Sequence, residues 1–487
     1  MSMNQPESPV TMYPSAWQIA SFEDCIEVIS DQGKRVNQSE YLPSGTIPVV
    51  DQGESFVGGY TNDECKRYNG PLPVLVFGDH TRRVKYINFS FAVGAQGVKL
   101  LRPLPCWEPK FLYYMLPALP IPDRGYSRHF QFIRQLSFPV PPIQEQRRIV
   151  EEVEKQFSRL DAGVVALKRV LAALKRYRAS VLQSACEGRL VLTEAKLAQA
   201  EGRDYEPADK LLTRILVERR SRWEADHLAK MQSQGKPPKD NAWKSKYQEP
   251  APPDTSRLPE LPEGWCWVTV EQICERIVDC LHSTPKFQES GSLCIDTNCI
   301  KPGRIIIEKV RYVDSATFIE RNRRMTPLEN DILFSREGAL LGVAVRVPGN
   351  LEFCLGQRMM IFRLGEHVDA KFYENVLNSG VFRSQYIREI TGTASPHLNI
   401  QDTRLFGIPL PPKSEQVRIV SEVDRRLSII DELENIVDAN LKRAERLRHA
   451  ILKQAFEGKL VPQYPNDEPA SVLLEKIRAE RNGKAKG

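Results

Sequence analysis

The chain repeats itself. Residues 139–191 and 409–461 align without a gap at an offset of 270, with 21 identities over 53 positions. PVPPIQEQRRIVEEVEKQFSRLD, starting at Pro139, faces PLPPKSEQVRIVSEVDRRLSIID, starting at Pro409. The match closes on SACEGRLV against QAFEGKLV. Further on, EPADKLLTRILVER (from Glu206) matches EPASVLLEKIRAER (from Glu468) at an offset of 262, and YPSAW (from Tyr13) faintly matches LPEGW (from Leu261) at 248. A repeat of this length dictates two copies of one plan, each a variable region followed by a shared segment. The matching Pro, Glu-Gln and Glu-Gly positions exclude two unrelated coiled coils that share only composition.

The shared segment reads as a long helix. In the first copy, Val150, Val153, Phe157, Leu160, Val164, Leu167, Leu171, Leu174, Val181 and Ala185 recur at alternating spacings of three and four. The second copy shows the same pattern from Val420 to Ala455. This heptad period makes a seam against another helix. Each segment follows a PxPP stretch, which enters extended because proline cannot join a helix interior. Glu145 and Glu415 fall in the first turn, where the helix dipole favours an anion. Gly188 and Gly458 stand where a left-handed C-terminal residue is expected. A helix of this length spans about 65 Å. Residues 192–260 are long enough to return the chain, so the two helices are expected to pack antiparallel, with pseudo-twofold symmetry.

Some side chains on these helices exceed what the seam needs. Ile149, Val165, Val170 and Leu182 in one copy, and Ile419, Ile436, Leu447 and Leu452 in the other, either widen the seam or mark a partner surface. Arg178 and Arg448 share one seam position; they snorkel at its rim or pair with carboxylates of a partner.

The variable regions read as mixed α/β. PVLVFGDHTRRVKYINFSFAVGAQGVKLL (from Pro73) holds β-rich runs broken by Gly and Asn. NDILFSREGALLGVAVRV (from Asn330) and FCLGQRMMIFRL (from Phe353) read as strands with tight turns, and residues 371–390 as a helix interrupted near Gly380. Polar side chains gather at the turns: Asp79, His80, Thr81, Arg82 and Arg83 in one region, Ser335, Arg336 and Glu337 in the other. Lys85, Arg128 and His129, and Arg321, Arg323, Arg324, Gln357, Arg358, His397 and Asn399, complete a set able to reach base edges and phosphates. Their plain alternative is solvated hairpin tips and a solvated basic patch.

Charge does not single out a nucleic-acid domain. The net of +6 resolves to 0 over residues 1–138 and −2 over 260–408, so a binding site must be a local patch. The ten cysteines read as reduced, packed thiols; Cys274, Cys280, Cys294 and Cys299 lack CxxC spacing and nearby histidine, so no metal site is expected. The opening MSMNQPESPVTMYPS has no basic-then-apolar leader pattern, and no apolar run reaches membrane-spanning length. Motifs for an amino-methyltransferase, a dinucleotide fold, a P-loop, a zincin or a serine hydrolase are absent. No catalytic residue is expected. An enzyme with a degenerate motif, and a purely structural coiled-coil adaptor, are the competing classes.

These motifs together resemble the specificity (S) subunit of Type I restriction–modification systems. The marks are IPLPPKSEQVRIV and LKQAFEGKLVPQ with their earlier copies, LPEGWCWVTVEQI, NDILFSREGALLG, FGDHTRRVKYI, and HLNIQDTRLFGIPLPP from His397. They span nearly the whole chain. The resemblance implies an α+β architecture: two mixed α/β target recognition domains separated by two long helices packed as an antiparallel coiled coil. The expected boundaries are 1–138 and 260–408 for the recognition domains, 139–191 and 409–461 for the helical spacers, 192–259 for a helical extension and linker, and 462–487 for a helical tail. Residues 225–258 are expected to be linker. The resemblance further implies a non-catalytic cytoplasmic subunit that binds double-stranded DNA, two modification (methyltransferase) subunits and two restriction subunits. S-adenosylmethionine, ATP and Mg2+ are expected on those partners, and no cofactor on this chain.

Overall fold

The computed structural model describes residues 13–484 except 32, 95–96, 123–124, 126, 237 and 391–396. Most of the opening stretch read for a leader lies outside the described residues. The first variable region holds β1 (Gln18–Ser21), α1 (Phe22–Cys25), β2 (Ile26–Ile29), β3 (Ile47–Val50), β4 (Gly59–Thr61), β5 (Val74–Gly78), β6 (Val84–Ile87), β7 (Ala92–Val93), β8 (Val98–Pro103), α2 (Pro109–Met115), α3 (Phe130–Ile133) and β9 (Ser137–Val140). Helices α4 (Ile143–Cys186), α5 (Glu194–Glu201) and α6 (Ala208–Ser233) follow. The second region holds β10 (Cys266–Thr269), α7 (Val270–Ile273), β11 (Cys274–Asp279), β12 (Ser292–Ile295), the small hairpin β13 (Ile300–Lys301) and β14 (Arg304–Ile305), β15 (Arg311–Val313) and α8 (Ser315–Asn322). It continues through β16 (Ile332–Ser335), β17 (Ala344–Arg346), β18 (Phe353–Leu355), β19 (Met359–Leu364), α9 (Ala370–Leu377), α10 (Gly380–Ile390), α11 (Ile400–Leu405) and β20 (Gly407–Leu410). Helices α12 (Lys413–Phe456) and α13 (Ala470–Lys484) close the chain.

Two compact units result, Met1–Arg169 with Val437–Gly487, and Val170–Ile436. Each contains one variable region, and the two regions have the same topology. A four-stranded antiparallel sheet has the order β2-β8-β5-β6 in the first and β11-β19-β16-β17 in the second. A three-stranded sheet, β4-β3-β7 or β15-β12-β18, has one antiparallel and one parallel pairing in both. A short ribbon, β1 with β9 or β10 with β20, brings the region's two ends together.

Both shared segments are single helices of 44 residues. The residues at three-four spacing are the buried or half-buried ones, as the heptad pattern requires. Within the first unit, α4 runs beside the end of α12: Arg448 pairs with Asp161 and lies over the Phe157 ring at 4.3 Å. Within the second unit, the end of α4 runs beside the start of α12: Arg178 pairs with Asp431 and reaches Glu434 at 3.1 Å. Arg448 and Asp431 stand 270 residues after Arg178 and Asp161, so the two clasps are one contact repeated.

The repeated motif letters have physical jobs. Gln146 Nε2 donates to the Pro141 carbonyl (2.9 Å) and its Oε1 accepts from the N–H of Glu108, the residue preceding α2 (2.8 Å). Gln416 does the same with the Pro411 carbonyl (2.9 Å) and the N–H of Asp369, before α9 (2.8 Å). Glu145 accepts the Trp17 indole N–H (3.0 Å), while Glu415 accepts the backbone N–H of Glu194 (2.8 Å). Burial pushes both carboxyls above the usual range. Gly188 (φ 65°) and Gly458 (φ 70°) end the helices left-handed, and Arg189 and Lys459 N–H groups close back on Ser184 and Gln454 carbonyls at 2.9 and 2.8 Å. Each glycine receives the proline of a variable region's opening motif: an added Cβ would meet Pro262 at 2.3 Å or Pro14 at 2.5 Å.

The second repeated stretch also packs. Ala208, Leu211 and Ile215 of α6 join the core with Trp265 and Val270; Ala470, Leu474 and Ile477 of α13 join the core with Trp17 and Phe22. The region expected to be linker is partly folded. α6 continues to Ser233, and the turn Ala242–Lys246 stacks Trp243 on His227 (ring centroids 5.8 Å apart) and on Trp223 (6.0 Å). Trp223 and His227, four residues apart, form one helix face that needs this cover. The helix expected over 371–390 divides just before Gly380 into α9 and α10.

Candidate nucleic-acid interface

In both units the candidate polar residues collect at one end of the four-stranded sheet. The β5–β6 turn, residues 79–83, closes with Gly78 N–H donating to the Arg83 carbonyl and Arg82 N–H donating to the Gly78 carbonyl, both at 2.8 Å. Asp79 is buried: its Oδ1 accepts from Phe130 N–H (2.8 Å) and its carbonyl from His129 N–H (2.8 Å), which anchors α3 to the turn. His80 N–H donates to Gln52 Oε1 (3.2 Å), with its ring Nδ1 3.2 Å from the Ser127 carbonyl. Thr81 Oγ1 donates to the Gln52 carbonyl (2.9 Å), and Arg82 to the Ile121 carbonyl (3.3 Å). Lys85 is buried, donates to the Ser55 carbonyl (2.6 Å) and faces Asp51 at 3.6 Å; burial pushes its ammonium down. Thr81, Arg83 and Arg128 are exposed, with Arg83 3.6 Å from Glu54.

The second unit carries more charge at the equivalent edge. Ser335, the last residue of β16, is fully buried. Arg336 pairs with Asp279 at the end of β11, and the exposed His282 lies 3.3 Å from the same carboxylate. Glu337 faces Arg358 at 3.5 Å and forms an isolated β-bridge with exposed His397. Gln357 accepts from Thr284 Oγ1 at 2.8 Å. Arg321 is buried, donating to the carbonyls of Leu355 (3.1 Å) and Ser283 (2.5 Å). Arg323 and Arg324 are exposed, and Arg324 reaches the Asp279 carbonyl at 3.3 Å. Asn399 caps α11, its side chain accepting from Gln401 N–H at 3.2 Å.

The expected set therefore divides. Asp79, Lys85, His129, Arg321 and Ser335 are buried, the first four hydrogen-bonded to neighbouring backbone, so they do not face a nucleic acid in this conformation. The remaining members lie at the accessible edges, and several basic ones are balanced by carboxylates of the same chain. Gln52, Glu54, Asp279, His282 and Thr284 belong to the same edges and were missed. They come from strands and loops distant in sequence, and only Asp51-x-Gly53, an Asp-capped turn with Gly53 N–H on Asp51 Oδ1 at 2.8 Å, was locally legible.

The helix candidates divide too. Ile149, Ile419 and Leu182 are buried within their own units, and Leu452 packs on the core of the first. They are covered by the variable regions, not presented to a partner. Val165, Val170, Ile436 and Leu447 are exposed, as is Tyr177, the repeat equivalent of Leu447. Arg178 and Arg448 are engaged by Asp431 and Asp161 inside the chain, so their carboxylate partners are internal. The ten cysteines are free, and among the described residues no cluster of His, Cys, Asp or Glu suits a metal ion. No described helix is long and apolar enough to cross a membrane.

The family model for the Type I restriction modification DNA specificity domain matches the chain twice, over residues 14–166 and 301–443. The EcoKI specificity subunit of Escherichia coli (strain K12) is 24% identical over 361 residues, covering 71% of this chain but 64% of its own length. The EcoDI specificity subunit of Escherichia coli is 23% identical over 390 residues, 76% of each chain. The StySPI specificity subunit of Salmonella potsdam is 34% identical over 172 residues, 32% of this chain and 36% of its own. A chain solved in work on complex assembly and conformational transition of the type I R-M system has the same fold, with a TM-score of 0.56 at 17% identity over 92% of this chain and all of that one. With two copies of the domain spanning over half of its length, the chain belongs to the family of Type I restriction–modification specificity subunits.

Proposed function

We propose that each variable region reads one half of a bipartite, asymmetric DNA site, and that the paired helices set the unread spacer and dock two methyltransferase subunits. One observation carries this reading: the two regions share strand order, and the register of β8 on β5 recurs in β19 on β16, yet they present different side chains at the same edge. Thr81 and Arg83 stand at the first, Arg336, Glu337 and Arg358 at the second. A common frame with divergent edges suits two readers of different sequences. Tyr177 and Leu447, equivalent and exposed, are the apolar pair offered for docking. In this reading the chain is a non-catalytic, cytoplasmic subunit; S-adenosylmethionine is held by the methyltransferase subunits, and ATP and Mg2+ are used by two restriction subunits.

The test is replacement of residues 20–136 by the equivalent region of a relative, followed by mapping of the methylated site. One half-site changes and the other stays. A change in both halves would mean that the regions do not read independently.

A further inference from the structure

β8 and β19 are equivalent central strands. Val98 opens one opposite Gly78, and Met359 opens the other opposite Ser335. The residue just before each is left-handed: Gly97 at φ 88° and Arg358 at φ 66°. The backbone role of the position is preserved. The Gly97 carbonyl accepts Asp79 N–H (2.7 Å), and the Arg358 carbonyl accepts Arg336 N–H (3.0 Å). Only the side chain is new.

In the first region that position is crowded by the side chains of Gln52 and His80. A Cβ on Gly97 would lie 2.7 Å from Gln52 Nε2 and 2.8 Å from His80 Cδ2. The second region places there a residue for which positive φ is sterically costly. Its side chain is 51% exposed, and its ion pair with Glu337 is long, at 3.5 Å. Arg336, by contrast, is only 13% exposed and is pinned by Asp279, while Arg321 is spent on two backbone carbonyls. Gly338, left-handed at φ 82°, forms the adjoining tip, and the position of its missing Cβ lies 3.8 Å from Arg358 Nη1. Strain kept at a non-glycine residue, on an otherwise glycine-type position, points to a function for the side chain.

We propose that Arg358 is a specificity-determining residue of the second region, its guanidinium donating two N–H bonds to a guanine edge in the major groove of that half-site. This rests on the reading that the second region recognises DNA. Arginine suits the task because its planar fork matches the guanine O6 and N7 acceptors. Glu337 orients the fork until DNA is present.

The experiment uses the full chain with its methyltransferase partner and duplexes carrying the mapped site. Arg358→Gly, Arg358→Asn and Arg358→Lys are compared with the parent for affinity at two salt concentrations, for discrimination at each base pair, and for thermal midpoint. Glycine and asparagine tolerate positive φ, so both variants should keep or raise the midpoint and still read the first half-site. Each should lose about 10- to 100-fold in specific affinity, with discrimination lost at one G·C pair of the second half-site. Lysine, a point charge, should not restore that discrimination.

Three results overturn the assignment. One is unchanged affinity and discrimination in Arg358→Gly. Another is a uniform loss on all sequences, with a shallower salt slope and rescue by lysine, which marks a phosphate contact. The last is a lowered midpoint in both Gly and Asn variants, which makes the guanidinium a prop of the fold. Failure of the parent complex to bind any site specifically would instead overturn the proposed function itself.

Discussion

Replacing Gly188 by alanine tests how the helices are anchored to the variable regions. Gly188 and Gly202 have the same φ of 65°, and both lie in the second unit. Only their surroundings differ. A Cβ at Gly202 meets nothing within 4 Å, whereas at Gly188 it meets Pro262 Cγ at 2.3 Å and Trp265 Cζ2 at 3.2 Å. Holding an alanine left-handed costs roughly 1–2 kcal/mol at either site. Relieving the overlap with a proline ring and an indole, neither a flexible chain end, adds roughly 1–3 kcal/mol at Gly188 alone. Gly202→Ala should therefore cost about 1–2 kcal/mol and Gly188→Ala about 2–5 kcal/mol. For a unit of this size that difference lowers the midpoint by a further 2–4 °C or so per kcal/mol. Calorimetry of the full chain reads it directly. Gly458→Ala, with Pro14 Cγ at 2.5 Å, should repeat the larger effect in the first unit. Equal losses at 188 and 202 would refute the docking of the opening proline into the helix end.

Other expectations follow from the same contacts. Glu145 and Glu415 have raised carboxyl pKa values in the folded chain, through burial. The native state therefore holds protons that the unfolded state has released, and each group removes stability as pH rises through the window above the ordinary carboxyl value, by up to about 1.4 kcal/mol per pH unit. Glu145→Gln and Glu415→Gln should flatten that fall in urea titrations; unchanged pH slopes would count against it. Arg178→Leu with Arg448→Leu trades three half-exposed ion pairs, to Asp431, Glu434 and Asp161, each worth about 0.2–1 kcal/mol, for apolar seam residues. The midpoint should hold or rise, while loss of polar register marks blurs the spacer length read in the methylated sites; a single sharp spacer in the double variant would argue against this role. Leu182→Glu puts a charge into the second unit's core and should unfold it, whereas Tyr177→Glu with Leu447→Glu should leave the fold intact and release partner subunits. Native mass spectrometry separates the two outcomes, and an undisturbed assembly in the second variant would remove that docking face.

What the sequence disclosed, and what it hid, follows from the range of each contact. The seam residues, the PxPP entry and Gly188 and Gly458 obey local rules, so α4 and α12 were legible almost to the residue. The sheet order was not, because IEVI at β2 is too short to choose the distant β8 as its partner. Polar residues in a turn suggest outward-facing side chains. Asp79 is instead an acceptor for Phe130 N–H, 51 positions away, and nothing local announces that bond. Ile149 and Leu182 lie beside the seam in the heptad count, and only the folded variable regions reveal what covers them. Arg358 was legible as a candidate but not as a left-handed residue standing where its counterpart is Gly97.

The most direct test of two readers on one repeated frame is genome-wide mapping of methylated adenines with and without this gene. The account predicts that deletion abolishes methylation at one split motif, two unlike half-sites with a fixed unread gap, and leaves every other methylated motif in place. Methylation that survives deletion unchanged, or a lost motif that is continuous or palindromic, would contradict it.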